Sequence, residues 1–477
     1  MNILFLTSEA SPFAKSGGLG DVAGALPKEL SRDKANRVCV MLPYYSFIKN
    51  NPPENIEYIG SLNVPLSWRN AYAGVFKKVV SGDGYEVEYY FIDNDYYFYR
   101  NSMYGEPDDG ERFAFFSKAC LECLPLTGLS PDIIHCNDWQ TGFVPLFLKA
   151  HYSHLDMYRR IRTIFTIHNI EYQGKADPDF LTDVLGVSES FRDVCTFDGL
   201  INSMKTAICL CDSLTTVSET YSHEIRYKYF ANGLESVIND NSYKLTGVVN
   251  GIDMGIYNPE SDPNIEERFT SHSPEGKERC KDALRRRLSL PFADVPIVAM
   301  VTRLVNHKGL ELIKGVANEL ADIDMQFVIV GTGDSEYEDM FRTMEYNRPD
   351  RVRGCITFDT QLAKEIYAGA DFLLMPSKCE PCGLSQLIAM RYGTIPIVRE
   401  TGGLVDTVPP FNPETNEGMG ITFKVFNAHD MLDAVKRACS IYYQKESLER
   451  LRQNIMNRDS SWAVSASRYM EIYRGVI

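Results

Sequence analysis

The sequence predicts an α/β protein built from two doubly wound domains, and three observations carry that prediction. Short runs of β-branched and apolar residues alternate with helical periodicity along the whole chain, the pattern of successive right-handed βαβ units. The runs are apolar throughout rather than at every second position, so they belong to parallel sheets covered by helices on both faces. There are about a dozen of them, too many for one such sheet, and 477 residues make two or three domains at roughly 100–200 residues each.

In the first half the predicted strands are Ile3–Thr7, Arg37–Leu42, Val87–Ile92, Asp132–Cys136, Thr163–His168 and Ser213–Val217. In the second half they are Ile297–Thr302, Gln326–Val330, Cys355–Phe358, Phe372–Met375, Ile395–Val398 and Ile421–Phe423. Helices are expected to start near Gly20 and after Gly383, to cover FAFFSKACLECL, and to cover the charged segment Glu275–Leu288. The stretch 247–264 (GVVNGIDMGIYNPESDPN) is rich in Gly, Asn, Asp and Pro and reads as the domain boundary. Trp462, Ala463, Ala466, Tyr469 and Tyr473 recur at helical spacing in 460–473, which reads as a last helix packing back onto the body.

Composition excludes several classes. Apolar residues make up 44% and charged residues 24%, the balance of a globular chain and not a disordered one. Lys and Arg number 49 against 64 Asp and Glu, a net charge of −15, which argues against binding a nucleic-acid backbone. No apolar run reaches the length of a membrane span. MNILFLTSEASPF has no basic leader and reads as a first strand, so the expected location is the cytosol, with no membrane partner. Of the twelve cysteines, Cys120/Cys123 and Cys379/Cys382 have CxxC spacing. That spacing suits redox or zinc chemistry, but the first pair lies in an apolar helical stretch and the second in a loop with other duties, so both read as ordinary small side chains.

In open α/β sheets ligands lie beyond the carboxyl ends of strands, and the chemically suggestive residues lie there. After the first strand comes Glu9 and then KSGGLGDVAG, residues 15–24. Its glycines permit a tight turn and close backbone approach, and a helix beginning there would turn free N–H groups toward an anion beside Lys15. Asp138 and Trp139 follow another strand, as do His168, Asn169 and Gln173 in HNIEYQG; each histidine, His135 or His168, suits a site or a structural role equally. In the second half Arg303, Lys308 and Gly309 follow a strand in TRLVNHKG, and two fixed cations at the mouth of a parallel sheet suit a diphosphate. GTGD at 331–334 is a further glycine turn, and Glu380 and Gly383 in PSKCEPCGLSQ place a carboxylate beside a helix start. The DxD pairs Asp93/Asp95 and Asp322/Asp324 read as surface acids, and no metal site is expected.

At these motifs the chain resembles the bacterial glycogen synthases and plant starch synthases nearly end to end: KSGGLGD, HNIEYQG, TVS at 216–218, NGID at 250–253, TRLVNHKG, GTGD, PSKCEPCGL, TGGLVDT at 401–407 and the late Ser461-Trp462. The resemblance implies a GT-B fold: two Rossmann-like domains facing across a cleft, spanning 1–248 on the acceptor side and 249–456 on the nucleotide-sugar side. The segment 457–477 would cross back to the first. It implies glucose transfer from ADP-glucose to the 4-hydroxyl at the non-reducing end of an α-1,4-glucan with retention of configuration, without a cofactor. By the same resemblance Lys15, Gly17 and Gly18 would face the donor, and Arg303 and Lys308 its departing diphosphate. Cys382, Gly383, Leu384 and Ser385 would complete the anion site and Phe358 would stack on the base. Glu380, a catalytic residue by this resemblance, would sit near the donor sugar, His168 would reach a glucose hydroxyl or the reacting centre, and Glu9, Tyr96, Asp138, Asn169 and Gln173 would line the sugar and acceptor side.

Two positions depart from related patterns. Ile388 stands where the wider class of retaining transferases has a second glutamate, and Tyr257 where the family often has tryptophan. Retention then proceeds either by front-face displacement or through a brief intermediate. The rival readings are an inactive glucan-binding scaffold, against which stand Lys15, Arg303, Lys308 and Glu380, and another retaining enzyme of the same fold using UDP-glucose. The donor base and the oligomeric state have no signature in the sequence.

Overall fold

The apolar run that opens the chain becomes the middle of a sheet. In the computed structural model, which describes all 477 residues, the strands of the first unit are β1 (Asn2–Leu6), β2 (Arg37–Pro43), β3 (Glu57–Leu66), β4 (Arg69–Gly82), β5 (Tyr85–Asp93), β6 (Ile133–Asn137), β7 (Arg162–Ile167), β8 (Lys175–Ala176), β9 (Thr196–Phe197), β10 (Leu200–Asn202), β11 (Ser213–Thr216) and β12 (Leu245–Gly247). Nine of these form one sheet in the order β12-β11-β7-β6-β1-β2-β5-β4-β3, and β8, β10 and β9 form a small antiparallel sheet of their own. β1 pairs in parallel with both β2 and β6. The strand order therefore reverses direction at β1, the point where a doubly wound sheet opens to ligands.

The second unit carries β13 (Ile297–Val301), β14 (Gln326–Val330), β15 (Val352–Cys355), β16 (Phe372–Met375), β17 (Ile395–Arg399) and β18 (Ile421–Phe423). Their order is β15-β14-β13-β16-β17-β18, parallel throughout. Here the reversal falls between β13 and β16, the strands that lead into Arg303 and Glu380. Most of these strands are buried along their length, as fully apolar runs require.

The chain divides into Met1–Asn250 with Trp462–Ile477, and Gly251–Ser461. The last helix, Trp462–Val476, thus belongs to the first unit. Tyr473 meets His135 of β6 at 2.7 Å, and the Tyr469 ring lies 5.3 Å from the same imidazole. Ser465 donates to the Val249 carbonyl at 2.6 Å. His135 also bonds Thr166 through Nε2, and burial drives its pKa far down. It is a neutral core histidine that holds the last helix, which decides between its two readings.

In the second unit the helix Glu275–Arg287 carries three buried basic side chains, Lys277, Lys281 and Arg285, each four residues after the last and so on one face. Lys281 and Arg452 bracket the buried Asp371 at 2.8 and 2.7 Å, and Asp371 also accepts from the Ile297 N–H at the start of β13. Burial would raise the Asp371 carboxyl, but the two cations outweigh it and hold the pKa below its usual value. Lys277 sits among the carbonyls of Ala368 and Tyr392 and the Thr394 hydroxyl, and burial, aided by nearby Arg452, lowers its pKa to about 7.

Three expectations need correction. The antiparallel hairpin β3–β4 was not foreseen, because β3 and β4 are half exposed and polar, and β3 carries Pro65. Proline is tolerated there because β3 is the edge of the sheet. The strand expected at Cys355–Phe358 instead ends at Cys355: as an edge strand it opens on Val352-Arg353-Gly354, which lacks the apolar run, and Phe358 lies beyond it. Asp93 is not a surface acid. It is buried, with Lys49 at 3.0 Å, and Asp95 shares the same ammonium at 2.6 Å. Asp322 and Asp324 are exposed and pair with Arg348 and Arg351. Tyr257 packs against the second core. Cys120 is buried in the helix Asp109–Glu122 and Cys123 is buried at its C-terminal cap, and burial pushes the Cys123 thiol up to about 12 and Cys120 well upward, leaving no thiolate for redox work. No helix is long and apolar enough to cross a membrane.

Asp371→Ala is expected to cost about 3–5 kcal/mol in urea unfolding of the full chain at pH 7, because it strands two buried cations. Since the folded-state pKa of Asp371 is depressed, its contribution is complete above the ordinary carboxylate range and fades as pH falls through and below it; the difference between wild type and variant should shrink accordingly in acid.

Candidate active site

In the first unit the glycine loop after β1 is held by a buried carboxylate. Glu9 accepts from the N–H groups of Ser16 (2.6 Å) and Gly17 (3.1 Å), from the Ser16 hydroxyl (2.7 Å) and from Tyr104 (2.8 Å). Both oxygens are occupied this way, so Glu9 shapes the loop rather than lining a sugar pocket. The helix Gly18–Leu30 starts directly after it, with Gly17 as its extended cap and open space around Gly17. Gly24 is required by packing: a Cβ there would lie 2.6 Å from the Ser11 carbonyl oxygen. Lys15 is exposed at the loop's edge, its ammonium 2.6 Å from Asp21.

The next strand ends, β6 and β7, carry Asn137, Asp138, His168 and Asn169. Asn137 donates its amide to the Leu6 carbonyl at 3.0 Å, which turns its oxygen to His168 Nε2 at 2.9 Å. His168 is therefore the Nε2–H tautomer with Nδ1 left as an acceptor, and burial lowers its pKa to about 3. Asp138 has φ +56° with ψ −179°, a conformation costly for a residue with a side chain and typical of functional sites. Its carboxylate accepts from the His168 N–H at 2.7 Å and the Asn169 N–H at 3.4 Å. Burial nevertheless pushes its pKa up to about 7. The Asn169 side chain caps the N–H of Glu171.

Gln173 departs from its expected role. Its amide is buried and fully engaged, donating to Asn232 and Ile170 carbonyls and accepting from Asn202. It positions the 170–174 turn instead of meeting a sugar. Tyr96 lies in the short helix Asp95–Phe98 after β5, 69% exposed, with Arg100 over its ring.

In the second unit the loops after β13, β14 and β16 are fastened to one another by backbone contacts. Leu304 N–H donates to Thr332, Asp334 N–H to Leu304, and Lys378 N–H to His307. These approaches demand glycine: a Cβ on Gly309, whose φ is +76°, would lie 2.0 Å from the Pro376 oxygen, and one on Gly331 1.8 Å from that of Thr302. Within this frame Lys308 Nζ sits 2.9 and 2.7 Å from the two Glu380 oxygens, and the Ser377 hydroxyl adds a bond of 2.9 Å. Glu380 is only 5% exposed. Burial alone would raise its carboxyl; Lys308 and Ser377 outweigh that and hold it below the usual carboxylate range. Two of the three Lys308 donors thus point at Glu380, leaving one for a ligand. Arg303 is exposed and forms no ion pair.

The loop carrying Glu380 is lashed from behind. Arg399 donates to the carbonyls of Ser377 and Lys378, Gly403 N–H to that of Glu380, and Gln386 to those of Cys382 and Gly383. Cys382 is buried, Leu384 and Ser385 are half-buried at the start of the helix Ser385–Arg391, and Ile388 faces the core. Phe358 is 76% exposed past the end of β15. Sequence reasoning missed Asn137, Ser377, Arg399, Gln386 and Tyr104. Asn137 could have been found, since it directly precedes Asp138 at a strand end; Arg399 and Tyr104 reach their partners only through the fold.

Residues 2–240 match the starch synthase catalytic domain and residues 284–458 the glycosyl transferases group 1 family. A glycogen synthase of Bacillus cereus is 46% identical over 480 aligned residues, covering all of both chains. The chain belongs to the glycogen and starch synthase family. A second relative, the glycogen synthase of Anoxybacillus flavithermus, is 47% identical over 99% of this chain and 97% of its own. The catalytic domain of starch synthase IV from Arabidopsis thaliana, solved bound to ADP and acarbose, superposes with a TM-score of 0.91 at 34% identity and covers 99% of each chain. Sucrose-phosphate synthase from Thermosynechococcus elongatus, at 18% identity over 100% of this chain and 98% of its own with a TM-score of 0.63, shares the fold. The fold is GT-B, and the protein is a glycosyltransferase of the glycogen synthase type.

Two outcomes follow from this geometry. In a nitrogen-15 NMR titration, His168 should stay neutral and Nε2-protonated from pH 5 to 8; a midpoint near 6.5 would contradict its placement. Gly309→Ala forces the loop off Pro376 and displaces Lys308, and should lower transferase activity by about a hundredfold while the far-ultraviolet spectrum is unchanged.

Proposed function

We propose that the protein transfers glucose from ADP-glucose to the 4-hydroxyl at the non-reducing end of an α-1,4-glucan, releasing ADP. The observation that carries this reading is the buried Lys308–Glu380–Ser377 cluster at the reversal of the second sheet, with Arg303 exposed in the same loop after β13 as Lys308. In the reaction the bond from the sugar's anomeric carbon to the diphosphate oxygen breaks, a bond to the acceptor oxygen forms, and the acceptor's proton passes to the departing diphosphate and from there to solvent. The sugar passes through an oxocarbenium-like state while negative charge grows on the diphosphate.

Arg303 and the remaining Lys308 donor take that charge, with the amides around Leu384 and Ser385 completing the anion site. Glu380 holds the Lys308 ammonium in one orientation, so little reorganisation is needed as the bond breaks. Within the first unit, Lys15, Gly17 and Gly18 present a cation and bare backbone that suit an anionic ligand. His168, neutral and with Nδ1 free to accept, suits a sugar hydroxyl, as do Asp138 and Asn169. Tyr96 extends this side toward the acceptor and Phe358 offers an exposed ring to the base. Support for the substrates comes from the glycogen synthase relatives and from the ADP and acarbose held by the starch synthase neighbour.

Purified protein should incorporate glucose from ADP-glucose into glycogen. Lys308→Ala and Glu380→Ala should each reduce the rate by about 10²–10³-fold when assayed below their unfolding transitions, with a native far-ultraviolet spectrum; Lys308→Ala, which strands the buried Glu380 carboxylate, should also unfold at a lower temperature. Wild-type rates in both variants would remove the catalytic assignment, and faster transfer from UDP-glucose in a parallel assay would overturn the choice of donor.

A further inference from the structure

We propose that the tip of the β3–β4 hairpin is a second, non-catalytic glucan-binding platform centred on Trp68. Trp68 is 74% exposed, whereas Trp139 and Trp462 are partly or almost wholly buried. A large aromatic ring in water normally keeps its rotational freedom; this one is immobilised. Its indole N–H donates to Asp183 Oδ1 at 2.8 Å. The Arg69 guanidinium covers one face, 4.4 Å from the ring centroid, and is itself anchored to Asp183 at 3.0 Å. Ser67, with φ +54°, donates to the Thr182 carbonyl at 2.7 Å. Gly186 lies so close beneath that a Cβ on it would stand 2.8 Å from Ser67 Cα. The turn between β3 and β4 is thereby fastened to residues 182–186 at several points, and the indole is presented at a fixed angle.

A rigid flat ring flanked by an exposed carboxylate and a guanidinium is the chemistry that recognises a pyranose. The apolar C–H face of the sugar stacks on the indole, and its hydroxyls bond Asp183 and Arg69. A protein partner is less well served, since a stable interface covers about 800 Å² on each side and this patch is one ring framed by charges. The platform is also tied to the acceptor side of the same unit. Arg69 pairs with Glu111 at 3.2 Å, Glu111 accepts from the Tyr97 hydroxyl at 2.6 Å, and the Tyr97 ring lies 5.0 Å from that of Tyr96. A polymer offers many identical glucose units, so a second weak contact raises the effective concentration of chain ends without touching the chemistry. This rests on the reading that the acceptor is an α-glucan.

The test compares full-length wild type, Trp68→Ala and Trp68→Phe, using native electrophoresis through glycogen-containing gels, gel filtration, and kinetics with glycogen and with maltotriose as acceptors. Trp68→Ala should lose most of its retardation in glycogen gels and raise KM for glycogen about tenfold. Its kcat, and all of its constants with maltotriose, should match wild type, and Trp68→Phe should recover most of the affinity. Unchanged retardation and KM in Trp68→Ala would overturn the proposal. So would equal losses with glycogen and maltotriose, or a change in oligomeric state that marks the patch as a contact between copies. Failure of the catalytic reading would look different: no transfer by wild type to either acceptor, with retardation in the gel still dependent on Trp68.

Discussion

A carboxylate that is buried must be matched by charge and hydrogen bonds, and the second unit's site is organised around that requirement. Glu380 is out of water and is tolerable there only because Lys308 and Ser377 meet it. To bring Lys308 that close, the loops after β13 and β16 must touch, which is why Gly309 approaches the Pro376 carbonyl so nearly. The same pairing holds a flexible ammonium in one orientation. One interaction therefore explains the glycine, the position of the cation and the ionisation state of the acid.

The first unit uses the same device with different donors. Glu9 is also buried, but its partners are two backbone amides and two hydroxyls, and what it fixes is the backbone of a glycine loop. Nearby, Asn137 sets the tautomer of His168, and Asp138 receives the amides of the following turn. In both units the polar side chains that look functional in the sequence divide into those that face outward and those that hold the others in place.

That division marks the limit of what the residues alone disclose. The fold was legible because apolar strands buried on both faces leave an unambiguous pattern; Gln326–Val330, Phe372–Met375 and Ile421–Phe423 fall where their runs lie. The β3–β4 hairpin escaped because edge strands keep a solvated face and a mixed composition. Placement was legible where a motif sits at a strand end: Arg303, Lys308, His168 and Glu380 each lie in the loop after a strand. Glu9 and Gln173 were placed in the right neighbourhood with the wrong task, because whether a carboxylate or amide is consumed by its own loop depends on distances that no spacing encodes. Ser377 and Arg399 support the Glu380 loop from 3 and 19 residues away along the chain, the latter from the end of β17.

The last helix has a bearing on how the chain comes to be folded. Trp462–Val476 completes the first unit by covering His135 and Val249, yet it is synthesised only after the whole of Gly251–Ser461. The second unit is in effect an insertion, contiguous in sequence and able to settle while translation continues, whereas the first waits for its closing piece. Vectorial synthesis ordinarily lets the amino-terminal domain finish first; here the order is reversed, and the nascent chain carries an unsealed sheet, with His135 uncovered, through most of its time on the ribosome.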